Sequence, residues 1–193
     1  MAGIVVEERV AGNFTIDLED GRPKWIRPIS KGQNGEISIE AASRFQNLEI
    51  VELIDIDYVP VGFQSENVLI SQMRCVQKTR LSESHLDLLC DHRHDNLFGN
   101  KGKSIKAEMI HDLDYSLMMI KPSKLSIYKT ENARGAKQVR GKFHFKKNEY
   151  DLPITDASYE YGSEKGKIAY LALSVGLEFE GWHSKLIAGV HLV

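Results

Sequence analysis

The chain has 193 residues, 42% apolar and 27% charged, with a net charge of −2. That is enough material for one large domain or two small ones in contact, and it excludes disordered and fibrous classes. No apolar run approaches the roughly 20 residues of a spanning helix, Glu7 and Glu8 stand where a signal peptide would be apolar, and Cys75 and Cys90 are the only thiols; a cytoplasmic, reduced protein is expected.

The N-terminus opens with a short strand at Ile4-Val5-Val6, and turns are expected at Gly12 and at Asp20-Gly21. Lys24-Trp25-Ile26-Arg27-Pro28-Ile29-Ser30 reads as a strand. Side chains alternate between its faces, so Trp25, Arg27 and Ile29 point the same way. A guanidinium beside an indole and an aliphatic chain needs a partner: either an internal carboxylate, or an anionic or planar ligand at a pocket mouth. Lys31 to Gly35 is read as a loop and Ile37 to Phe45 as a short helix. Leu48 to Tyr58 is read as an alternating strand with a bulge near Leu53, closed by Pro60 and Gly62. The polar tetrad Gln64-Ser65-Glu66-Asn67 precedes Val68-Leu69-Ile70. Its side chains suit reading a base edge or a ribose, and equally suit tying two parts of the fold together.

The middle changes character. Leu81, His85, Leu88 and Leu89 share a helical face, with Ser82 or Ser84 as N-cap, and this main helix is expected to run to Phe98-Gly99. Lys101 to Lys106 is a basic, Gly-containing loop. Strands return at Tyr115 to Ile120 and Leu125 to Tyr128. From Gln138 to Lys146, Val139, Gly141, Phe143 and Phe145 face one way and Arg140, Lys142, His144 and Lys146 the other. A turn at Lys147-Asn148 leads into a partner strand from Glu149 to Ile154. Ile168 to Val175 and Lys185 to Val193 complete the set, separated by a loop over Gly176 to Gly181. About ten strands and one main helix make the fold mostly β.

Charge is segregated along the chain. Residues 1–70 hold 6 basic against 12 acidic side chains, and residues 101–147 hold 12 against 4. The basic segment is a footprint for phosphates, or a solvated surface docked on the acidic N-terminal region. Within it, alternate residues recur about every 6.6 Å along one strand face. The cations at Arg140, Lys142 and Lys146, with Lys137 and Lys147 at the ends of the hairpin, can track a nucleic-acid backbone or guard a sheet edge from pairing.

Catalytic and metal chemistry find little support. Cys90 and His94 are at helical i, i+4 spacing, but a structural zinc site asks for about four ligands and no second pair at standard spacing follows. There is no Gly-x-Ser-x-Gly and no phosphate-cradling Gly-rich loop in a strand-to-helix frame. Asp151 and Asp156 are read as turn residues rather than an acid pair. No cofactor, no metal and no catalytic set is expected. Trp25 and Trp182 are expected in the core rather than as stacking platforms.

The ordered set Trp25-Ile26-Arg27-Pro28-Ile29-Ser30, Gln64-Ser65-Glu66-Asn67, Ile120-Lys121-Pro122, Tyr150-Asp151-Leu152-Pro153-Ile154-Thr155-Asp156, Leu173-Ser174-Val175 and Phe179-Glu180-Gly181-Trp182-His183-Ser184-Lys185-Leu186-Ile187-Ala188 resembles the prokaryotic dual OB-containing domain family. One departure lies at the N-terminus, where Val10-Ala11-Gly12 keeps the small residues but lacks the family's polar opening and its cysteine. The resemblance implies two tandem OB-like barrels with one main helix inserted between them, a fold often used to hold nucleic acids. The expected division is a first barrel over residues 1–80, a helical connection over 81–114 and a second barrel over 115–193. The expected function is non-catalytic binding of nucleic acid or a nucleotide, as an accessory factor in a nucleic-acid-related or defence system. The expected ligand site is Trp25, Arg27, Gln64, Glu66 and Asn67, with phosphate attraction from the hairpin. The alternative is a protein-interaction subunit docking on a larger nuclease or ATPase assembly.

Overall fold

A computed structural model describes the chain except for residues 33, 34, 36, 80, 132–134 and 157 and the side chain of Ile39. β1 (Gly3–Ile4) and β2 (Val6–Val10) turn at Ala11-Gly12 into β3 (Asn13–Ile16) and β4 (Leu18–Glu19). A second turn at Asp20-Gly21 leads into β5 (Arg22–Pro23) and β6 (Trp25–Ile29). Asp20 and Gly21 have φ of 51° and 73°, the doubly left-handed turn that an Asp-Gly pair favours in hairpins. After α1 (Ile39–Ala42), β7 (Glu49–Ile54) and β8 (Asp57–Tyr58) form one bent strand, and β9 (Asn67–Leu69) and β10 (Gln72–Lys78) another. The break expected near Leu53 falls at Asp55, whose φ is 53°. β7 pairs antiparallel with β10 and β8 with β9, while β6 runs parallel to β9 with Arg27 opposite Asn67.

α2 (Glu83–Leu89) starts at Ser82, whose side chain accepts from the His85 amide while His85 closes a capping box on the Ser82 backbone. It stops at Leu89, well short of the Phe98-Gly99 end read from the sequence. Cys90 takes an extended backbone, and Cys90 and His94 therefore share no helical face. A 3-10 turn spans Leu97–Gly99, and β11 (Ser104–Lys106) follows. The C-terminal part holds β12 (Leu117–Ile120), β13 (Ser123–Glu131), β14 (Lys137–Phe145), β15 (Asn148–Ile154), β16 (Ala169–Phe179) and β17 (Trp182–Leu192). Their order in the sheet is β12-β16-β17-β15-β14-β13, with β11 also paired to β17.

The two ends of that order, β12 and β13, are separated in the chain only by Lys121-Pro122. One strand bent at Pro122 thus carries both edges, and the sheet curls round into the barrel of an OB-like unit. The halves share one element of connectivity, a long hairpin whose last strand lies parallel to the strand that precedes the hairpin. The parallel pair is β6 with β9 in the first half and β15 with β17 in the second. That preceding strand ends Arg27-Pro28-Ile29 in β6 and Leu152-Pro153-Ile154 in β15. The structure is mostly β, two tandem OB-like units with the main helix between them.

The larger core fills the second unit, around Phe143, Leu152, Leu171, Leu173 and Ile187. Gly141 is closely approached there: a Cβ at this position would meet Ile187 Cδ1 at 2.7 Å and oblige that side-chain end to shift. A second cluster of Leu86, Leu89, Cys90, Met119 and Tyr170 packs Trp25, Ile4 and Ile16 of the first unit against α2. β12 is buried throughout because it serves both, with Met118 and Ile120 in one cluster and Met119 in the other. Among the described residues, no helix is long and apolar enough to cross a membrane.

Candidate functional site

Strand alternation places Trp25 and Arg27 on one face of β6, and that face meets β12 and β16 of the second unit. Trp25 packs into the smaller core cluster. Arg27 Nη2 donates to Ser116 Oγ at 2.7 Å and to Ser174 Oγ at 3.2 Å. Ser116 Oγ in turn donates to Glu66 Oε2 at 2.9 Å, and Glu66 Oε1 accepts from the amides of Ser116 (2.6 Å) and Leu117 (3.0 Å). A single hydroxyl thus bridges the guanidinium and the carboxylate. Burial lowers the Arg27 pKa and the nearby Glu66 carboxylate opposes that shift.

The tetrad completes this junction. Gln64 and Asn67 are buried and bonded to each other, Asn67 Nδ2 to Gln64 Oε1, at 3.3 Å. Ser65 Oγ donates to the Asp114 carbonyl at 2.8 Å. Arg27 lies opposite Asn67 on the neighbouring strand, next to Gln64 and Glu66, while Trp25 shares the Arg27 face of β6 and packs into the smaller core cluster. Arg27 and Glu66 meet Ser116, Leu117 and Ser174 of the second unit, so the geometry carries the internal-partner reading of Arg27.

The basic hairpin is organised differently from its sequence reading. Phe145 pairs with Asn148, so the turn is Lys146-Lys147, one residue earlier than expected. That register sets Lys142 opposite Asp151 and His144 opposite Glu149. Arg140 Nε donates to Asp151 Oδ1 and Nη2 to the Asp151 carbonyl, both at 2.7 Å, while Tyr128 OH donates to Asp151 Oδ2 at 2.6 Å. Lys142 Nζ lies 3.0 Å from Glu149 Oε1. The cationic stripe on β14 therefore runs beside an acidic stripe on β15. Lys146 and Lys147 escape this pairing and stand exposed at the tip. Lys137, also exposed, begins β14 at the opposite end of the barrel.

At the Lys146-Lys147 end, three segments meet. β15 and β17 pair in parallel at Ile154 and Ile187, so their first residues, Asn148 and Trp182, lie at the same end. The chain from Asp95 to Gly102 closes the space between these strands. Asn148 Nδ2 donates to the Asp95 carbonyl at 3.0 Å, and the Leu97 amide donates to Tyr150 OH at 3.2 Å. Lys185, on β17, is fully buried and its Nζ donates to the carbonyls of Leu97 (2.9 Å), Asn100 (2.5 Å) and Gly102 (3.0 Å). Burial pushes the Lys185 pKa down to about 8. This clasp delivers Lys101, Lys103 and Lys106, all exposed, to the edge of β17, where β11 pairs with residues 182–184. One end of the second barrel thus presents Lys101, Lys103, Lys146 and Lys147, together with Lys106, whose Nζ lies 3.4 Å from Glu108 Oε1.

The sequence profile described as Dual OB-containing domain matches residues 2–190. The chain belongs to the dual OB-containing domain family. No match was found among curated proteins or among solved structures. Membership in a dual OB family supports a binding role, since OB barrels hold their ligands on strand faces and connecting loops.

Two features of this dual-OB chain escape a reading of residue types alone. The first is the Glu149/Asp151 counter-stripe, whose signal was the turn position: a shift of one residue changes every cross-strand pair. The second is the tip of the β16–β17 hairpin, which the sequence reading treats as a loop. Glu180 and Gly181 have φ of 51° and 79°, a tight turn, and both strands continue to it. Trp182, expected in the core, is instead 44% exposed at this tip. The signal was an X-Gly pair flanked by Phe179 and Trp182.

Among the described residues, no group of three His, Cys, Asp or Glu side chains converges to hold a metal ion. Burial raises the Cys90 thiol to about 11, which leaves it protonated at neutral pH. A groove of about 770 Å³ opens where Arg22 of the first unit faces Arg93, Asn100, Asp114 and Tyr115. Arg93 lies 3.7 Å from the Tyr115 ring centroid, and its Nε donates to Asp91 Oδ2 at 2.7 Å, so cation and ring are used on each other.

Proposed function

We propose that this dual-OB protein is a non-catalytic binding factor that contacts nucleic acid with one end of its second barrel. The observation that carries this reading is the convergence there of Lys101, Lys103, Lys106, Lys146 and Lys147 from two separate segments, all exposed. Exposed lysines attract phosphates through counterion release, which makes affinity fall with salt. The junction built on Arg27 and Glu66 supports this role by fixing the two units against each other.

Fluorescence anisotropy of a labelled single-stranded oligonucleotide across a salt series tests the reading. Binding should weaken linearly on a log-log plot, with a slope of about −0.7 for each phosphate contact. No binding at low salt, or affinity independent of salt, contradicts it.

A second reading, a subunit that docks on a protein assembly, draws on the first unit. β8 is an edge of its four-stranded sheet; Tyr58 on it and Val61 just beyond it are 66% and 65% exposed. Such an edge can accept a strand from a partner. Native mass spectrometry of the protein with its co-purified partners separates this reading from the first.

A further inference from the structure

The tip of the β16–β17 hairpin combines apolar exposure with register. Phe179 pairs with Trp182 across the two strands, and Trp182 pairs with Lys106 on β11. Directly opposed residues on antiparallel strands share a face, so Phe179, Trp182 and Lys106 form one row across three strands, adjacent strands lying about 4.8 Å apart. The opposite face of β11 and β17 carries Ile105 and His183, both buried, with His183 edge-on to Phe63 at 4.8 Å between ring centroids. The row is therefore the outer surface of a supported sheet. Leu177 and Phe179 are 58% and 57% exposed, and Lys106 Nζ lies 5.9 Å from the Trp182 ring centroid. Ser104 and Ser184, paired with each other, carry the same face one step along.

We propose that the row Phe179, Trp182 and Lys106 is a base-stacking platform for single-stranded nucleic acid. The inference rests on the reading of the barrel end as a nucleic-acid interface and adds the class of strand. Aromatic side chains exposed side by side on one sheet face are surfaces on which unpaired bases stack, whereas a duplex keeps its bases stacked inside. Lys106 lies beside the Trp182 ring, with Glu108 Oε1 3.4 Å from its Nζ; Lys103 follows along the same edge, its carbonyl accepting from the Lys185 amide, and Lys146-Lys147 stands at the same end of the barrel, where a backbone leaving the platform would run. Glu178 pairs with His183, which places it on the other side of the sheet from the rings; Glu180 occupies the turn itself. Protein interfaces are depleted of lysine at their centres, and here a lysine completes the row.

The chain has two tryptophans, and Trp25 is packed against the inter-unit core, so a Trp25→Phe background leaves Trp182 as the reporter. Stacked bases should quench its emission when a single-stranded oligonucleotide is added, and the matching duplex should quench it far less. Trp182→Ala with Phe179→Ala should weaken single-strand binding roughly 5- to 150-fold, with the salt slope kept and with Trp182→Phe restoring most of the loss. Unchanged thermal unfolding shows that the variant is folded; should it be destabilised, the quenching experiment on the Trp25→Phe protein decides alone. Binding that is lost on Lys101→Glu and Lys103→Glu but untouched by the aromatic changes, with no quenching, overturns the platform and leaves the electrostatic reading standing. Equal quenching by duplex overturns it too. Concentration-dependent self-association that Trp182→Ala abolishes, without any oligonucleotide effect, overturns it in favour of a protein contact. Absence of all oligonucleotide binding by the parent protein removes the underlying reading, and the platform with it.

Discussion

Arg140 and Lys142 lie on the same strand as the Lys146-Lys147 turn, yet the two sets of cations are placed in opposite circumstances. The first pair looks across to Asp151 and Glu149 at 2.7 and 3.0 Å; the second sits beyond the last cross-strand pair, Phe145 with Asn148. Lys185 and Arg27 extend the first class, being spent on carbonyls and on a serine–glutamate bridge. A count of basic residues along the chain cannot separate cations that hold the fold from cations that face solvent. Register and burial can, and they move the candidate interface from the face of the hairpin to the end of the barrel.

The largest effect in a test of this contrast is expected at the junction. Glu66→Ala would leave the Ser116 and Leu117 amides without their acceptor and Arg27 without its compensating charge. Such a loss costs about 2–4 kcal/mol, measured as a drop in unfolding free energy in urea. Oligonucleotide affinity per folded molecule should stay the same. A changed affinity with unchanged stability would instead make Glu66 part of the ligand site.

Next comes Lys185→Met, which strands three carbonyls and should cost about 1–3 kcal/mol. Amide hydrogen exchange should accelerate across residues 97–106 more than elsewhere. Its pH dependence has a definite sign. The folded pKa, near 8, lies below the ordinary 10.5, so between these values the unfolded chain holds a proton that the folded chain has released. This group therefore makes stability rise with pH over that window. The stability of the parent minus that of Lys185→Met should climb from pH 8 toward 10, by at most about 1.4 kcal/mol per unit. A flat difference means that the three carbonyls keep the ammonium charged throughout.

A smaller effect is expected from unmasking the paired stripe. Glu149→Gln with Asp151→Asn removes the carboxylates facing Lys142, His144 and Arg140, and should tighten oligonucleotide binding several-fold while steepening its salt dependence by about 0.7 for each new phosphate contact. No change in slope means that this face never meets the ligand.

Much of the fold is legible in the sequence because its pattern is local. The alternation from Val139 to Phe145, the Ser82 cap and the Asp20-Gly21 turn each state their structure within a few residues. The order of the motifs from Trp25 to Ala188 then identifies the dual-OB arrangement. The limits appear where partners are distant in the chain. Arg27 needs Ser116 and Ser174, and Lys185 needs the carbonyls of Leu97, Asn100 and Gly102, none of which a periodicity can indicate. The helix ends at Leu89 rather than at Phe98-Gly99, because Cys90 already leaves the helical conformation and the polar run from Asp91 to Asn96 carries no apolar periodicity onward. Residue type alone assigns Trp182 to the core, and only the pairing of Phe179 with Trp182 at a two-residue turn reveals an exposed tip.

The contrast between the two sets of cations comes to a single comparison of salt titrations. Lys146→Glu with Lys147→Glu should lower the log-log slope for a single-stranded oligonucleotide by about 0.7 per lost contact, whereas Lys142→Glu, already facing Glu149, should leave it close to that of the parent. Equal losses in both variants, or a loss confined to Lys142→Glu, would contradict the assignment of the interface to the barrel end.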